Sequence, residues 1–162
     1  TLGNIQVKGR PVFPGCGRCP EKLRETHTAD AFFKTGDMGR LDADGYLTII
    51  GRSKDLIISG GLNVYPQEIE ALIDELPGVN ESAVIGLPHP DFGEAVVAVV
   101  VCDKSATTAP NADDVIEAVR TQLAKFKVPK AVHFVDDLPR NAMGKVQKNL
   151  LRRQFDGSEG AG

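Results

Sequence analysis

The chain has 162 residues, enough for one domain or for one small domain plus part of another, and a length that can bury a sizeable core. Its 19 basic and 22 acidic residues leave a net charge of −3, which argues against a general nucleic-acid binder. No apolar run approaches the ~20 residues of a membrane-spanning helix, and an odd number of cysteines, three, argues against a disulfide framework and for a reducing, cytoplasmic compartment.

The chain opens on Thr1 and reads from the start as mid-domain sequence, so a piece of a longer protein is expected. The alternation of Asn4–Gly9, with Ile5 and Val7 on one face, predicts a strand. Gly9–Pro20 is rich in Gly, Pro and Cys and reads as loop. Thr35-Gly36-Asp37 reads as a turn whose Asp carboxylate suits a ribose diol. Asp42-Ala-Asp-Gly45 is a tight turn before a strand at Tyr46–Ile50, so a hairpin is expected. Gly51–Lys54 interrupts that pattern. An apolar strand follows, then Gly60-Gly61, where a narrow ligand can pass close to the main chain.

Beyond this point helices and strands alternate. Pro66–Leu76 predicts a helix: Pro66 suits the first turn, Glu68 and Glu70 the positive end, and Ile69, Leu72, Ile73 and Leu76 one apolar face. Ser82–Leu87 and Val96–Cys102 predict paired strands. Asn111–Lys125 predicts a second amphipathic helix with Val115, Ile116, Val119 and Leu123 inward, Ala131–Val135 a third strand, and Lys145–Phe155 a terminal helix. Lys145 follows a Gly at the start of that helix, where a cation with three donors suits an oxyanion or a phosphate. The expected organisation is a partial β-rich unit over 1–53, a compact α+β unit with about three strands over 54–155, and a flexible tail over 156–162.

Other features carry less. Cys16-Gly-Arg-Cys19 spells a CxxC, but zinc needs four ligands and no second pair exists. Asp42–Gly45 lacks the rest of a calcium loop. His27, His89 and His133 have no ligand spacing, so no metal site is expected. The basic run from Arg140 to Phe155 has no aromatic interleaving and reads as a solvated helix face with a phosphate-facing Lys.

In this order, Thr35-Gly36-Asp37, Gly51 to Glu70 and Leu138 to Lys148 resemble the adenylate-forming superfamily of acyl- and aryl-CoA synthetases, luciferases and peptide-synthetase adenylation domains. The resemblance runs from about Gly3 to Phe155. Within it, Ser82–Glu94 and Leu138–Phe155 look most like malonyl-CoA synthetases. It implies a carboxylic acid, ATP (with Mg²⁺ on the pyrophosphate) and CoA as reactants, and a large N-terminal domain as the partner of this part. Asp37 and Arg52 are then expected at the ATP ribose, and Lys54 at the hinge of the C-terminal domain. Lys145 is expected to contact the substrate carboxylate and the α-phosphate as the catalytic residue. Gly61 would line the pantetheine tunnel, Phe92 would stack on the adenine of CoA, and Lys130, in Lys125-Phe-Lys-Val-Pro-Lys130, would meet CoA phosphates. Acids other than malonate, fatty or aromatic, and a carrier protein in place of CoA remain alternatives. The piece alone is expected to be inactive.

Overall fold

A computed structural model describes residues 2–10, 12 and 26–156. The expectations for Cys16 and Cys19 and for the tail beyond Asp156 lie outside the described residues. The chain divides into two compact units, Thr1–Lys54 and Asp55–Gly162.

The first unit holds a three-stranded antiparallel sheet, β1 (Leu2–Val7), β2 (Phe33–Leu41) and β3 (Leu47–Arg52), in that order. The expected hairpin joins β2 and β3. Asp42 shapes it, its Oδ1 accepting from Asp44 N–H (3.0 Å) and Tyr46 N–H (2.8 Å) while Gly45 takes φ +88°. Two expectations need correction. Thr35-Gly36-Asp37 is not a turn between elements but a bulge inside β2: Lys34 pairs with Gln6 and Met38 with Asn4, so three residues stand opposite Ile5. The Thr35 hydroxyl donates to the Ile5 carbonyl (3.0 Å), which a regular ladder would have satisfied otherwise. The expected break at Gly51 also falls later, because Gly51 and Arg52 still pair with Met38 and Asp37; a one-turn 3₁₀ helix, Ser53–Asp55, ends the strand.

The second unit is α+β. Strands β4 (Ile57–Ser59) and β5 (Leu62–Val64) lead into α1 (Pro66–Asp74), then β6 (Val79–His89), β7 (Gly93–Cys102), α2 (Ala112–Gln122), β8 (Ala131–Val135) and α3 (Lys148–Phe155). The long antiparallel β6–β7 pair is the centre. β6 takes one edge of β7 throughout; on the other, β4 meets its start at Ser59↔Gly93, and β8 runs parallel to its later half from Val97↔Ala131 to Val101↔Val135. The three expected strands are thus joined by a short hairpin that extends the sheet to five.

The unbroken apolar run of β7 follows from having both faces covered. Val96, Ala98 and Val100 pack with Ile69 and Ile73 of α1 and with Val115 and Val119 of α2. Val97, Val99 and Val101 pack with Leu138 and with Leu151 of α3. Leu151 has no exposed surface. Leu151→Ala is expected to destabilise the unit by about 2–5 kcal/mol, read as a lowered denaturant midpoint at unchanged slope.

Helix starts carry their own signals. Asn111 closes a capping box with Asp114 at the head of α2. The terminal helix begins at Lys148 rather than Lys145, because residues 139–147 close a hairpin-like loop of their own. The outer edge of β6 is guarded by Glu70, whose Oε1 accepts from Val84 N–H (2.7 Å) and from Lys148 Nζ (2.6 Å). That carboxylate and ammonium, 16% and 14% exposed, tie α1 to α3 across an edge that would otherwise invite pairing with another chain. At the end of β7, the Ser105 hydroxyl (2.7 Å) and N–H (2.8 Å) hold the Asp103 carboxyl below its usual range.

Candidate functional site

Three sets of chemically useful residues emerge, one in the first unit and two in the second. In the first, the bulge presents Asp37. Gly36 takes φ +77°, a conformation L side chains rarely adopt. The Thr35 hydroxyl accepts from Asp37 N–H (3.1 Å), and the Ser53 hydroxyl donates to the Gly36 carbonyl (3.0 Å). Asp37 is the ladder partner of Arg52, whose Nε stands 3.5 Å from its Oδ1. The sheet therefore brings Asp37 and Arg52 together, with both side chains partly exposed. A carboxylate beside a guanidinium can accept from a vicinal diol on one side while the cation sets its orientation. Lys54 lies in the 3₁₀ turn that follows, exposed, as the last residue of its unit.

In the second unit, Gly60 and Gly61 form the two-residue turn between β4 and β5, at φ +58° and +76°, with Ser59 paired to Leu62. Positive φ at both centres is the geometry of a tight hairpin matched to strand twist. A Cβ at Gly61 would meet nothing within 4 Å, so the turn is open on its outer side. The hairpin is tethered to β7: Gly60 N–H donates to the Phe92 carbonyl (2.8 Å), and Glu94 Oε2 accepts from Ile58 N–H (2.7 Å). Phe92 in turn carries Lys130 Nζ over its ring at 5.1 Å and His89 at 4.7 Å between centroids. Gly61, Phe92 and Lys130, far apart in sequence, thus share one end of the sheet. Phe92 is 38% exposed, which leaves ring surface for a ligand.

Sequence reasoning missed two residues in this cluster. By sequence Glu94 only ends a resembling segment, yet its carboxylate holds the hairpin. By sequence His89 has no ligand spacing with the other histidines, yet it completes the aromatic pair. Gly86 was the available signal for Glu94: a Cβ there would meet Glu94 Oε1 at 2.7 Å, so the missing side chain makes room for the carboxylate. Among the described residues no group of three or more His, Cys, Asp or Glu is arranged to hold a metal ion.

The third set is the loop bearing Lys145, exposed, with no hydrogen bond or ion pair from its Nζ among the described residues. Its main chain is bound on both sides. Asn141 N–H donates to the Lys145 carbonyl (2.9 Å), and Asn141 Oδ1 accepts from Lys145 N–H (2.9 Å). Gly144, at φ +78°, closes a tight turn against the Asn141 carbonyl (2.9 Å), ahead of the exposed Lys145 side chain. Arg140 donates to the Gly144 carbonyl (2.7 Å) and to Glu81 of β6, so the loop stands at the Glu81 end of that strand. The Gly61 cluster stands at the His89 end. His89 stands eight positions beyond Glu81 along β6, roughly 26 Å at about 3.3 Å per residue.

Comparison with known proteins fits this geometry. Residues 68–145 match the family described as the AMP-binding enzyme C-terminal domain. The chain is 58% identical to ATP-bound MatB from Rhodopseudomonas palustris, with a TM-score of 0.86 over 96% of this chain and 31% of that one. It is 49% identical, over 94% of its length and 29% of the relative's, to a (methyl-dioxo-octahydroindenyl)propanoyl:CoA ligase of Rhodococcus jostii (strain RHA1). It is 47% identical, over 94% of its length and 30% of the relative's, to the long-chain-fatty-acid–CoA ligase FadD13 of Mycobacterium tuberculosis. The chain thus spans about 30% of the length of the curated relatives it matches.

Proposed function

We propose, because residues 68–145 match the model of that C-terminal domain family, that the full-length protein carrying this chain is an ATP-dependent, AMP-forming acid–CoA ligase of the cytoplasm. Its first half-reaction joins a carboxylate to the α-phosphate of ATP with loss of pyrophosphate. Its second transfers the acyl group from AMP to the thiol of CoA. Lys145 acts in the first: carboxylate and phosphate are both anions, and an ammonium between them offsets their repulsion and stabilises the charge that develops in the transition state. Mg²⁺ would be carried by the phosphates of ATP rather than by described residues of this chain, and would supply charge neutralisation to the pyrophosphate. Asp37 and Arg52 hold the ribose. Gly61, Phe92 and Lys130 serve the second half-reaction as the path and the phosphate contact for CoA.

The observation that carries this reading is the placement of Lys145 and the Gly61 cluster at opposite ends of β6. Ends roughly 26 Å apart cannot serve one reacting centre in one pose. A domain built this way works by presenting first one end and then the other, with Lys54, the last residue of the first unit, as the pivot. No described helix is long and apolar enough to cross a membrane.

Malonate or a similar short dicarboxylate is the proposed acid, on the resemblance of Ser82–Glu94 and Leu138–Phe155 to malonyl-CoA synthetases. The identity to a long-chain fatty acyl ligase keeps a fatty acid as the second reading. The test supplies the full-length protein with ATP, free CoA and malonate, a long-chain fatty acid or an aromatic acid in turn, and follows AMP and thioester. Malonyl-CoA with the highest kcat/KM is expected, and the 162 residues alone should give no ATP–pyrophosphate exchange. A fatty or aromatic acid in first place replaces malonate. Thioester on a carrier protein but none on free CoA defeats the CoA-ligase reading.

A further inference from the structure

One side-chain oxygen gathers two main-chain donors of the loop that bears Lys145. Asn141 Oδ1 accepts from both Met143 N–H (3.0 Å) and Lys145 N–H (2.9 Å). Its main chain closes the same turn from inside, the carbonyl accepting from Gly144 N–H (2.9 Å) and the N–H donating to the Lys145 carbonyl (2.9 Å). A second layer fixes this turn to the sheet: Gln147 N–H donates to the Pro139 carbonyl (2.7 Å), and Arg140 bridges the Gly144 carbonyl to Glu81. Met143 and Lys145 are exposed, so water can satisfy their N–H groups if the Asn side chain is removed. What water cannot do is hold the two N–H groups on one acceptor and so fix where the Lys145 side chain leaves the main chain.

We propose that Asn141 is a positioning residue for Lys145: its side-chain oxygen sets the loop geometry that places the ammonium for adenylate formation, while contributing little to the stability of the domain. The inference rests on the adenylation role given to Lys145 above. The Lys side chain can still rotate, so the expected defect is a misplaced cation rather than an absent one. A displacement on the order of 1 Å can lower a rate by up to about a hundredfold.

The test is made in the full-length enzyme with Asn141→Leu, Asn141→Asp and Lys145→Ala in parallel. Asn141→Leu is expected to lower the kcat of ATP–pyrophosphate exchange by about ten- to a hundredfold. The KM for ATP should change little, and so should the melting temperature. Thioester formation from supplied acyl-adenylate should persist. Asn141→Asp, which keeps an oxygen where both N–H groups need it, should recover most of the exchange rate. If Asn141→Leu does not accumulate as folded protein, Asn141→Ser, with one short acceptor, is read the same way and should fall between the other two. Unchanged exchange in Asn141→Leu overturns the proposal, as does an equal fall in both half-reactions or a failure of Asn141→Asp to restore the rate. If Lys145→Ala itself leaves exchange intact, the reading of Lys145 falls first; if it abolishes exchange while Asn141→Leu does not, only the role of Asn141 is lost.

Discussion

Replacing Lys145 by Ala in the full-length enzyme is expected to cut adenylate formation by about 10²–10³-fold and to leave thioester formation from supplied acyl-adenylate close to the parent rate. The split follows from geometry. The Lys145 loop is anchored at the Glu81 end of β6, and the groups assigned to CoA stand at its His89 end. On the proposed two-pose reading, bringing the Gly61 hairpin to the reacting carbonyl would carry the ammonium away, so its removal should cost nothing there. The fold has no stake in the side chain either: Lys145 is exposed, and the loop is closed by its main-chain N–H and carbonyl, which Ala retains. Measured by ATP–pyrophosphate exchange and by thioester release in separate assays, an equal loss in both half-reactions would refute the division of labour.

Gly61→Leu should give the mirror image, with adenylate formation preserved and transfer to CoA reduced by an order of magnitude or more. A Cβ at Gly61 meets no atom within 4 Å, so the substitution does not clash inside the domain. Its conformational cost is that of one residue at φ +76°, about 1–2 kcal/mol, which a hairpin held by Glu94 and by the Phe92 carbonyl can absorb. The branched side chain then projects from the open side of the turn, into the space assigned to the pantetheine arm. Single-turnover measurement with preformed acyl-adenylate isolates this step; unimpaired thioester formation would remove Gly61 from the CoA path.

The two variants together test whether one small domain carries two half-sites. Each of the two regions is held by its own local contacts. The Lys145 loop is closed by Asn141 and latched by Arg140 to Glu81. The hairpin is closed by two glycines and latched by Glu94.

Local chemistry made several elements readable along the chain. Val96–Cys102 lies in the strand its β-branched run predicts, and α1 starts where Pro66 and its following carboxylates place it. Asn111 caps α2 because Asx side chains compete for just those N–H groups. The α+β class follows from the same alternation of periods, and Asp37, Gly61 and Lys145 are marked by the resemblance of their segments, in this order, to the adenylate-forming superfamily.

Other features depend on what each segment meets across space. The bulge at Thr35–Asp37 exists because Ile5 alone stands opposite three residues, which no local window can reveal. The helix expected from Lys145 starts three residues later because Asn141 and Pro139 draw the intervening N–H groups into a loop instead. By sequence Glu70 suits a helix N-terminus and Lys148 a solvated basic face, yet they meet across the edge of β6 once α1 and α3 cover opposite faces of the sheet. The separation of Glu81 from His89 along β6 is likewise held by the pairing of that strand with β7. Periodicity and capping are properties of neighbours in the chain, so the sequence carries them; which edge is free, and which cation stands at which end of a strand, is decided only when the strands pair.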